Sequence, residues 1–318
     1  MKKKIFNFFL SFLSMIFCLC VIELFLITKS NLIISYDTEM WKYSKILKFK
    51  SKNPLINHEH VKNKKANLQN VDININSMGM RGDEGDLIDW KKAEEKILFI
   101  GSSITLGWGV EESMTVTHKL EQYLNKNNKR IWKVLNGGVG NYNMQRYVEN
   151  YLQNYAELKP NILIIQYFLN DSEILKNSYG NIFTRNFHLA GLIWRYLSIK
   201  GDNLKFNNIY EYYNNFYLPE NFKYTEKYLK ILKDKCKIEK IRCIVAYTPD
   251  VQFLNNSKFD HFENLIKLKS EETGFEFVSL TPRLRSGNKN LKNQYNDNHP
   301  NFVAHEMMAK TIKDYLIN

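Results

Sequence analysis

The apolar residues from about residue 96 onward fall into two kinds of segment that alternate along the chain. Short continuous apolar runs, typical of strands that a parallel sheet buries on both faces, occupy residues 96–100, 132–135, 162–168, 241–247 and 275–279. Apolar residues at helical spacing occupy residues 116–124, 144–158, 224–235 and 302–316. The alternation predicts a three-layer α/β/α domain with a parallel sheet and right-handed crossovers.

A separate apolar segment, residues 5–27, follows a short run of lysines near the N-terminus. At about 1.5 Å per residue it can cross a hydrocarbon core of about 30 Å, so residues 1–29 are predicted to form one transmembrane helix. Neither a small-x-small cleavage site nor a lipoprotein site at Cys18 or Cys20 is present, which favours an uncleaved signal anchor over a signal peptide. Glu23 lies near the outer end, where a charge is tolerated. Because the lysines should stay cytoplasmic, we expect a single-pass membrane protein with its remaining chain on the extracytoplasmic side.

The rest of the chain divides near residue 96, where the alternation begins. Residues 30–95 mix helix-like and irregular polar segments, and we expect an extracytoplasmic stalk and lead-in that ends in a strand near residues 71–75. Residues 96–318 are expected to form the α/β domain. Residues 172–222 interrupt its alternation and are rich in aromatic residues. Two interpretations of this insertion stay open: a substrate-binding lid, or a small subdomain whose aromatics fill its own core.

Charge and cysteine content narrow the possible partners. The formal charge of +12 and pI near 9.2 come from dispersed lysines without a basic cluster or stacking aromatics, so we expect no nucleic-acid partner. An anionic membrane surface or glycan fits better. His58 and His60 form a weak metal signal, and no metal or other cofactor is expected. Cys236 and Cys243 could form a disulfide outside the cytoplasm, although the apolar run around Cys243 favours buried thiols.

Candidate catalytic residues lie at both ends of the α/β domain. Ser103 follows the strand at residues 96–100, and Asn170 follows the strand at residues 162–168. Both are expected at the rim formed by the carboxyl ends of the strands, where sites of such sheets lie. His299 precedes the final helix with acid and amide neighbours. A serine early and an Asp/His pair late in the chain predict acyl transfer.

Four motifs carry a family resemblance: GSSIT at residues 101–105, NGGVGNYN at 136–143, FLND at 168–171 and DNHPN at 297–301. Their order resembles that of the SGNH, or GDSL-like, hydrolases. The motifs NSMGMRG at 76–82 and LGWGV at 106–110 resemble the membrane-anchored bacterial members. The resemblance covers about residues 71–318 and implies a flavodoxin-like α/β/α hydrolase that acts on esters.

The resemblance also implies roles for individual residues. Ser103 would attack the acyl carbonyl, and His299 would take its proton and then protonate the leaving alcohol. The oxyanion would be held by the backbone N–H of Ser103, a backbone N–H at Gly140 or Asn141, and the side-chain amide of Asn170.

Three positions depart from the family pattern. Ser102 stands where the family usually has aspartate, and Asn141 where it commonly has the oxyanion glycine. The third concerns the partner of His299, because Asn296 occupies the usual aspartate position and Asp297 lies one residue later. We expect Asp297 to be the partner, since a carboxylate stabilises the imidazolium whereas an amide only orients it.

Two other polar residues near these motifs are given structural roles. Asp171 is expected to hold its loop or cap the next helix. His305 lies inside the predicted final helix and is expected to be a packing or surface residue.

The sequence therefore predicts an outward-facing serine esterase or deacylase. Its substrate would be an acyl ester, such as an acetyl ester on cell-surface or secreted carbohydrate. Two alternatives stay open: an O-acyltransferase that uses the same site, and a non-catalytic carbohydrate-binding or assembly protein on the same fold.

Overall fold

The computed structural model describes residues 2–127, 130–176, 179–203, 206, 208–287, 290–294 and 297–317. The strands are β1 (Lys48–Lys50), β2 (His58–His60), β3 (Lys64–Leu68), β4 (Val71–Ile75), β5 (Glu95–Gly101), β6 (Trp132–Gly138), β7 (Ile162–Phe168), β8 (Arg242–Thr248) and β9 (Glu276–Ser279). The α-helices are α1 (Lys2–Leu32), α2 (Tyr36–Leu47), α3 (Glu84–Lys92), α4 (Ser103–Leu106), α5 (Val116–Asn127), α6 (Met144–Asn150), α7 (Ile182–Asn186), α8 (His188–Asn203), α9 (Ile209–Phe216), α10 (Pro219–Glu239), α11 (Asp260–Thr273), α12 (Thr281–Ser286) and α13 (Phe302–Ile317).

The core of the domain is a five-stranded parallel sheet in the order β6-β5-β7-β8-β9. Successive side chains of a strand point to opposite faces, so each central strand contributes to two cores. Leu98 and Ile100 of β5 pack with α6, α10 and α11, whereas Ile97 and Phe99 pack with α5, α12 and α13. The predicted three-layer α/β/α architecture with a parallel sheet is confirmed.

The predicted helix at residues 144–158 is not a single α-helix. It consists of α6, a π-helix at Tyr151–Tyr155 and a 3-10 turn at Ala156–Leu158. Tyr147, Tyr151 and Tyr155 are all buried against the sheet and lie four residues apart. At 3.6 residues per turn, each step of four residues rotates the side chain by about 40° away from the core, and the wider π turn compensates for that rotation.

Residues 36–95 are part of the domain in this structure, whereas the sequence predicts a stalk there. Helix α2 and the antiparallel hairpin β3–β4 pack against the turn that follows β5. Their shared core contains Tyr43, Leu47, Ile73, Leu106 and Trp108, all buried. The segment has a polar sequence because only one face of each of these short elements meets the domain. The predicted strand at residues 71–75 is present as β4.

Arg81, in the NSMGMRG motif, ties this N-terminal part to the turn after α4. Its guanidinium is buried and donates to the carbonyls of Leu106, Gly107 and Val110, each at 2.7 Å. Burial lowers the pKa of Arg81 to about 10, so the group keeps its charge at neutral pH. Three short bonds from one planar group fix the path of the chain behind α4.

The insertion between β7 and β8 contains α7, α8 and α9 and has two distinct parts. Tyr213 and Phe216 of α9 are buried in the core beside the sheet, as expected for aromatics that pack. Helices α7 and α8 instead lie against α2 and the C-terminal part of α1. Helix α1 is long enough and apolar enough to cross a membrane, with a mean hydropathy of 2.6 over its most apolar window. It is the one such helix among the described residues.

Cys236 and Cys243 form a disulfide, where the sequence favours two buried thiols. Lys240, with a φ of 58°, ends α10 and reverses the chain, which brings the last turn of α10 beside β8.

The pair His58 and His60 has a structural role. His58 Nε2 lies 3.0 Å from the Gly140 carbonyl oxygen, and burial lowers the pKa of His60 to about 4. No cluster of metal-ligating residues occurs within the described part of the chain.

Replacement of Gly138 by alanine tests how tightly α4 packs on β6. The added Cβ would overlap the Leu106 nitrogen and lie 2.6 Å from the backbone carbonyl carbon of Thr105. We expect Gly138→Ala to lower the free energy of unfolding by about 1–3 kcal/mol, measured by urea denaturation of the detergent-solubilised chain. The control is Gly85→Ala in exposed α3, whose Cβ would meet only the Asp83 side chain. Equal stability of the two variants would contradict the close packing.

Candidate active site

Ser103 lies where β5 passes into α4. The turn between them is tight, because a Cβ on Gly101 would overlap the Thr105 Oγ1 of α4. Ser102 precedes the helix with extended backbone geometry, and Ser103 is the first helical residue. The N–H groups of a first helical turn have no partner within the helix, so the Ser103 N–H is available to a ligand. Its side chain is half-buried at the carboxyl rim of the sheet.

The structure joins Ser103, His299 and Asp297 in one chain of contacts. Ser103 Oγ lies 2.7 Å from His299 Nε2. On the other side of the ring, His299 Nδ1 lies 2.6 Å from Asp297 Oδ1. The same carboxylate oxygen accepts the His299 backbone N–H at 3.0 Å, so one oxygen holds both the ring and its backbone. Asn296, the alternative partner, lies outside the described residues.

The Asp297 carboxylate is fully buried, with 0% of its side chain exposed. Its second oxygen accepts a hydrogen bond of 2.8 Å from the side-chain amide of Gln69, at the tip of the β3–β4 hairpin. Burial by itself would raise the pKa of this carboxyl, but the hydrogen bonds and charge of His299 and the Gln69 amide hold the pKa below its usual value. Asp297 is therefore ionised at neutral pH and can stabilise a protonated His299.

The turn after β6 shows which of two backbone amides is already hydrogen-bonded. Gly140 donates its N–H to the Tyr43 hydroxyl at 2.9 Å, and its carbonyl accepts from Lys48 at 2.6 Å. Asn141 is exposed in the left-handed region, with a φ of 64°, and its N–H donates to no acceptor among the described residues. Of the two candidates, Gly140 shapes the turn and Asn141 keeps a free donor. The side-chain amide of Asn170 likewise has no partner within the described part of the chain.

Asp171, beside Asn170, holds two loops together. Its Oδ2 accepts the Phe168 N–H at 3.0 Å, and its carbonyl accepts the Met144 N–H at 2.8 Å. The side chains of Ser102 and Tyr147 also interact with the carboxyl. Burial nevertheless raises the pKa of Asp171 well above its ordinary value. The residue thus positions the loop that carries Asn170, as expected from the sequence.

Two residues of the site have no signal in the motifs. Gln69 is one, because a glutamine in a polar hairpin carries no sign of a buried carboxylate partner. Tyr36, at the start of α2, is the other: its ring centroid lies 5.8 Å from that of His299. The left-handed backbone of Gln69, with a φ of 53°, aims its side chain inward.

His305 is a packing residue, buried in α13 with Nδ1 accepting the Val116 N–H.

No protein-family model and no curated protein sequence matches this chain. Solved structures similar to it include a protein from Desulfitobacterium hafniense DCB-2 described in the G-D-S-L family of lipolytic proteins, with 15% identity over 70% of this chain and 99% of that chain and a TM-score of 0.46. They also include a catalytic mutant of an acetylxylan esterase from Geobacillus stearothermophilus, with 17% identity over 69% and 93% and a TM-score of 0.45. An alpha/beta hydrolase from a Lake Arreo metagenome shares 16% identity over 71% and 97%, with a TM-score of 0.48.

Gln69→Asn tests the support of Asp297 from the hairpin. Asparagine keeps an amide and tolerates the left-handed backbone, but it is one methylene too short to reach the carboxylate. We expect the free energy of unfolding to fall by about 1–3 kcal/mol, since a buried carboxylate oxygen loses its donor. Asn67→Ala on the same hairpin, which removes only an exposed bond to Asp72, is the control. Equal effects of the two substitutions in urea denaturation would contradict this role of Gln69.

Asp171→Asn tests the raised pKa of Asp171 through the pH dependence of stability. In the native state the Asp171 carboxyl keeps its proton, whereas in the unfolded chain it releases that proton above about pH 3.9. The contribution of Asp171 to the free energy of unfolding therefore falls as the pH rises toward the native pKa. Asparagine resembles the protonated form and has no such dependence. We expect the Tm of Asp171→Asn, relative to the wild type, to rise between pH 4 and pH 8. A constant or falling difference would contradict a neutral Asp171; Asp89→Asn on exposed α3 is the control.

Proposed function

We propose that this protein is a serine hydrolase of carboxylic esters, with Ser103 as its nucleophile. The observation that carries the proposal is the chain of contacts from buried Asp297 through His299 to the accessible Ser103, with separations of 2.6 Å and 2.7 Å. A serine hydroxyl is a poor nucleophile unless a base takes its proton. A serine that only capped a helix would need neither the histidine nor the buried carboxylate.

The geometry supports a two-step reaction. As Ser103 Oγ bonds to the acyl carbon, its proton passes to His299 Nε2, which then gives that proton to the alcohol oxygen when the ester C–O bond breaks. The acyl group stays on Ser103 until His299 deprotonates a water molecule, which attacks the acyl carbon. The Oγ–acyl bond then breaks and Ser103 regains its proton. Asp297 stabilises the imidazolium that forms in both steps.

The oxyanion of the tetrahedral intermediate would be held by three donors. They are the backbone N–H groups of Ser103 and Asn141 and the side-chain amide of Asn170, each without a partner among the described residues. Donors that are fixed in place before the reaction cost no reorganisation when charge develops, and one such donor typically contributes about 10²- to 10³-fold in rate. Gly140 is left out of this set because its N–H is bonded to Tyr43.

We propose an acylated saccharide, such as an acetyl ester of a glycan, as the substrate. A cavity of about 520 Å³ has Lys292 in its lining, and Lys292 pairs with Pro300, the residue after His299. Ser103 and His299 do not line this cavity, so it would hold a part of the substrate away from the ester bond. Amide and cationic side chains share the rest of its polar lining: Gln252, Asn255, Asn256, Arg285 and Asn290. Such groups match the hydroxyls of a sugar better than a long acyl chain. One of the similar structures is described as an acetylxylan esterase, a name that denotes an acetyl ester of a glycan as its substrate.

We also propose that α1 anchors the chain and that the catalytic domain lies on the extracytoplasmic side. The lysines at residues 2–4 favour the cytoplasm for the amino end of α1. The disulfide between Cys236 and Cys243 agrees with an oxidising compartment.

The proposed function is tested by turnover of p-nitrophenyl acetate and of acetylated xylo-oligosaccharides by the full chain in detergent. Both Ser103→Ala and His299→Gln are expected to lower kcat by about 10³-fold or more, because nucleophile and base act as a unit. The control is His261→Gln, which changes an exposed histidine on α11 and should leave kcat unchanged.

Turnover that survives in a folded Ser103→Ala variant would contradict the assignment of the nucleophile. Acyl transfer to added sugar in place of hydrolysis would identify the acyltransferase alternative. Sugar binding by the wild type without either reaction would favour the carbohydrate-binding alternative.

A further inference from the structure

Helices α7 and α8 expose an unusual number of large apolar side chains. The exposed fractions are 63% for Phe183, 52% for Ile193, 48% for Trp194, 63% for Tyr196 and 61% for Leu197. Exposed apolar side chains that lie close together on a protein surface mark an interaction site. The set includes tryptophan and tyrosine, which prefer the boundary between lipid and water.

The attachment of α8 to α1 indicates what covers this surface. Glu23, within the apolar segment of α1, accepts the backbone N–H groups of His188 at 2.6 Å and Leu189 at 3.0 Å. Its carboxylate also lies 3.0 Å from His188 Nδ1. Glu23 therefore caps the N-terminus of α8, where a negative charge is favourable. This contact explains a carboxylate in an apolar span, and it fixes α8 at the level of residue 23.

The depth of that contact matches a membrane interface. Glu23 lies four residues before Ile27, the outer end of the apolar run, which is about 6 Å along a helix. Interfacial helices bury their apolar faces about 5–10 Å into the boundary between headgroups and acyl chains. A bilayer that surrounds residues 5–27 of α1 would reach the start of α8 at this depth.

We infer that the exposed apolar face of α7 and α8 lies in the outer leaflet of the bilayer beside α1. The two contacts, α1 across the bilayer and α8 along its surface, hold the domain in one orientation. Tyr36 begins α2 only a few residues after α1 ends, and its ring centroid is 5.8 Å from that of His299. The catalytic histidine is therefore held next to the membrane surface. This inference rests on the proposed insertion of α1 and not on the ester chemistry.

The experiment uses the full chain in phosphatidylcholine and phosphatidylglycerol vesicles, with and without lipids brominated at positions 6 and 7 of one acyl chain. Bromine quenches tryptophan only on close contact, and the emission of Trp194 is obtained by subtracting the spectrum of Trp194→Phe. We expect Trp194 to lose most of its emission in brominated vesicles and to be shielded from aqueous iodide. The control is Trp132→Phe, because Trp132 begins β6 at the edge of the sheet opposite Ser103. The emission of Trp132, obtained by the same subtraction, should not change with bromination.

Equal Trp194 emission in brominated and plain vesicles, together with quenching by iodide, would overturn the inference and leave the face for a lid motion or a protein partner. Retention of the chain in vesicles after an alkaline carbonate wash reports the insertion of α1 separately. Turnover of p-nitrophenyl acetate reports the esterase function separately. A failure of one proposal is therefore distinguished from a failure of the others.

Discussion

The buried carboxylate of Asp297 is the constraint on which the site depends. A charge removed from water must be paired or hydrogen-bonded, and this one has partners from both ends of the sequence. His299 lies two residues later, whereas Gln69 lies 228 residues earlier. Gln69 in turn is held by Glu39, whose carboxylate accepts its backbone N–H at 2.8 Å. The orientation of His299 therefore depends on α2 and the β3–β4 hairpin.

The same N-terminal elements control the other half of the site. Arg81 fixes the chain behind α4, and the close approach of Gly138 to α4 sets the height of Ser103 above the sheet. The Tyr43 hydroxyl accepts the Gly140 N–H, whereas the next amide, at Asn141, has no acceptor among the described residues. One hydrophobic and hydrogen-bonded block therefore positions Ser103, the turn after β6 and the loop that carries His299.

The sheet and the positions of the proposed catalytic residues could be predicted because their signals are local. The strand at Ile162–Phe168 begins and ends as predicted, and Ser103, Asn170 and His299 lie in motifs whose order is visible in the sequence. Gln69 could not be predicted, since its role depends on a contact between distant segments. The disulfide was missed for a related reason: an apolar run around Cys243 indicates burial but not which residue the turn at Lys240 brings opposite. The sequence left a lid and a small subdomain open for the insertion, and nothing in it indicates that Glu23 holds the start of α8.

The most direct test of the central claim is covalent labelling of the full chain by a fluorophosphonate, followed by peptide mass spectrometry. The reagent forms a stable bond only with a serine whose hydroxyl is activated and whose phosphonyl oxyanion is held by nearby donors. The account predicts one adduct, on Ser103, which is lost in His299→Gln while the variant stays folded. An adduct on a different serine, or labelling of Ser103 that does not depend on His299, would contradict it.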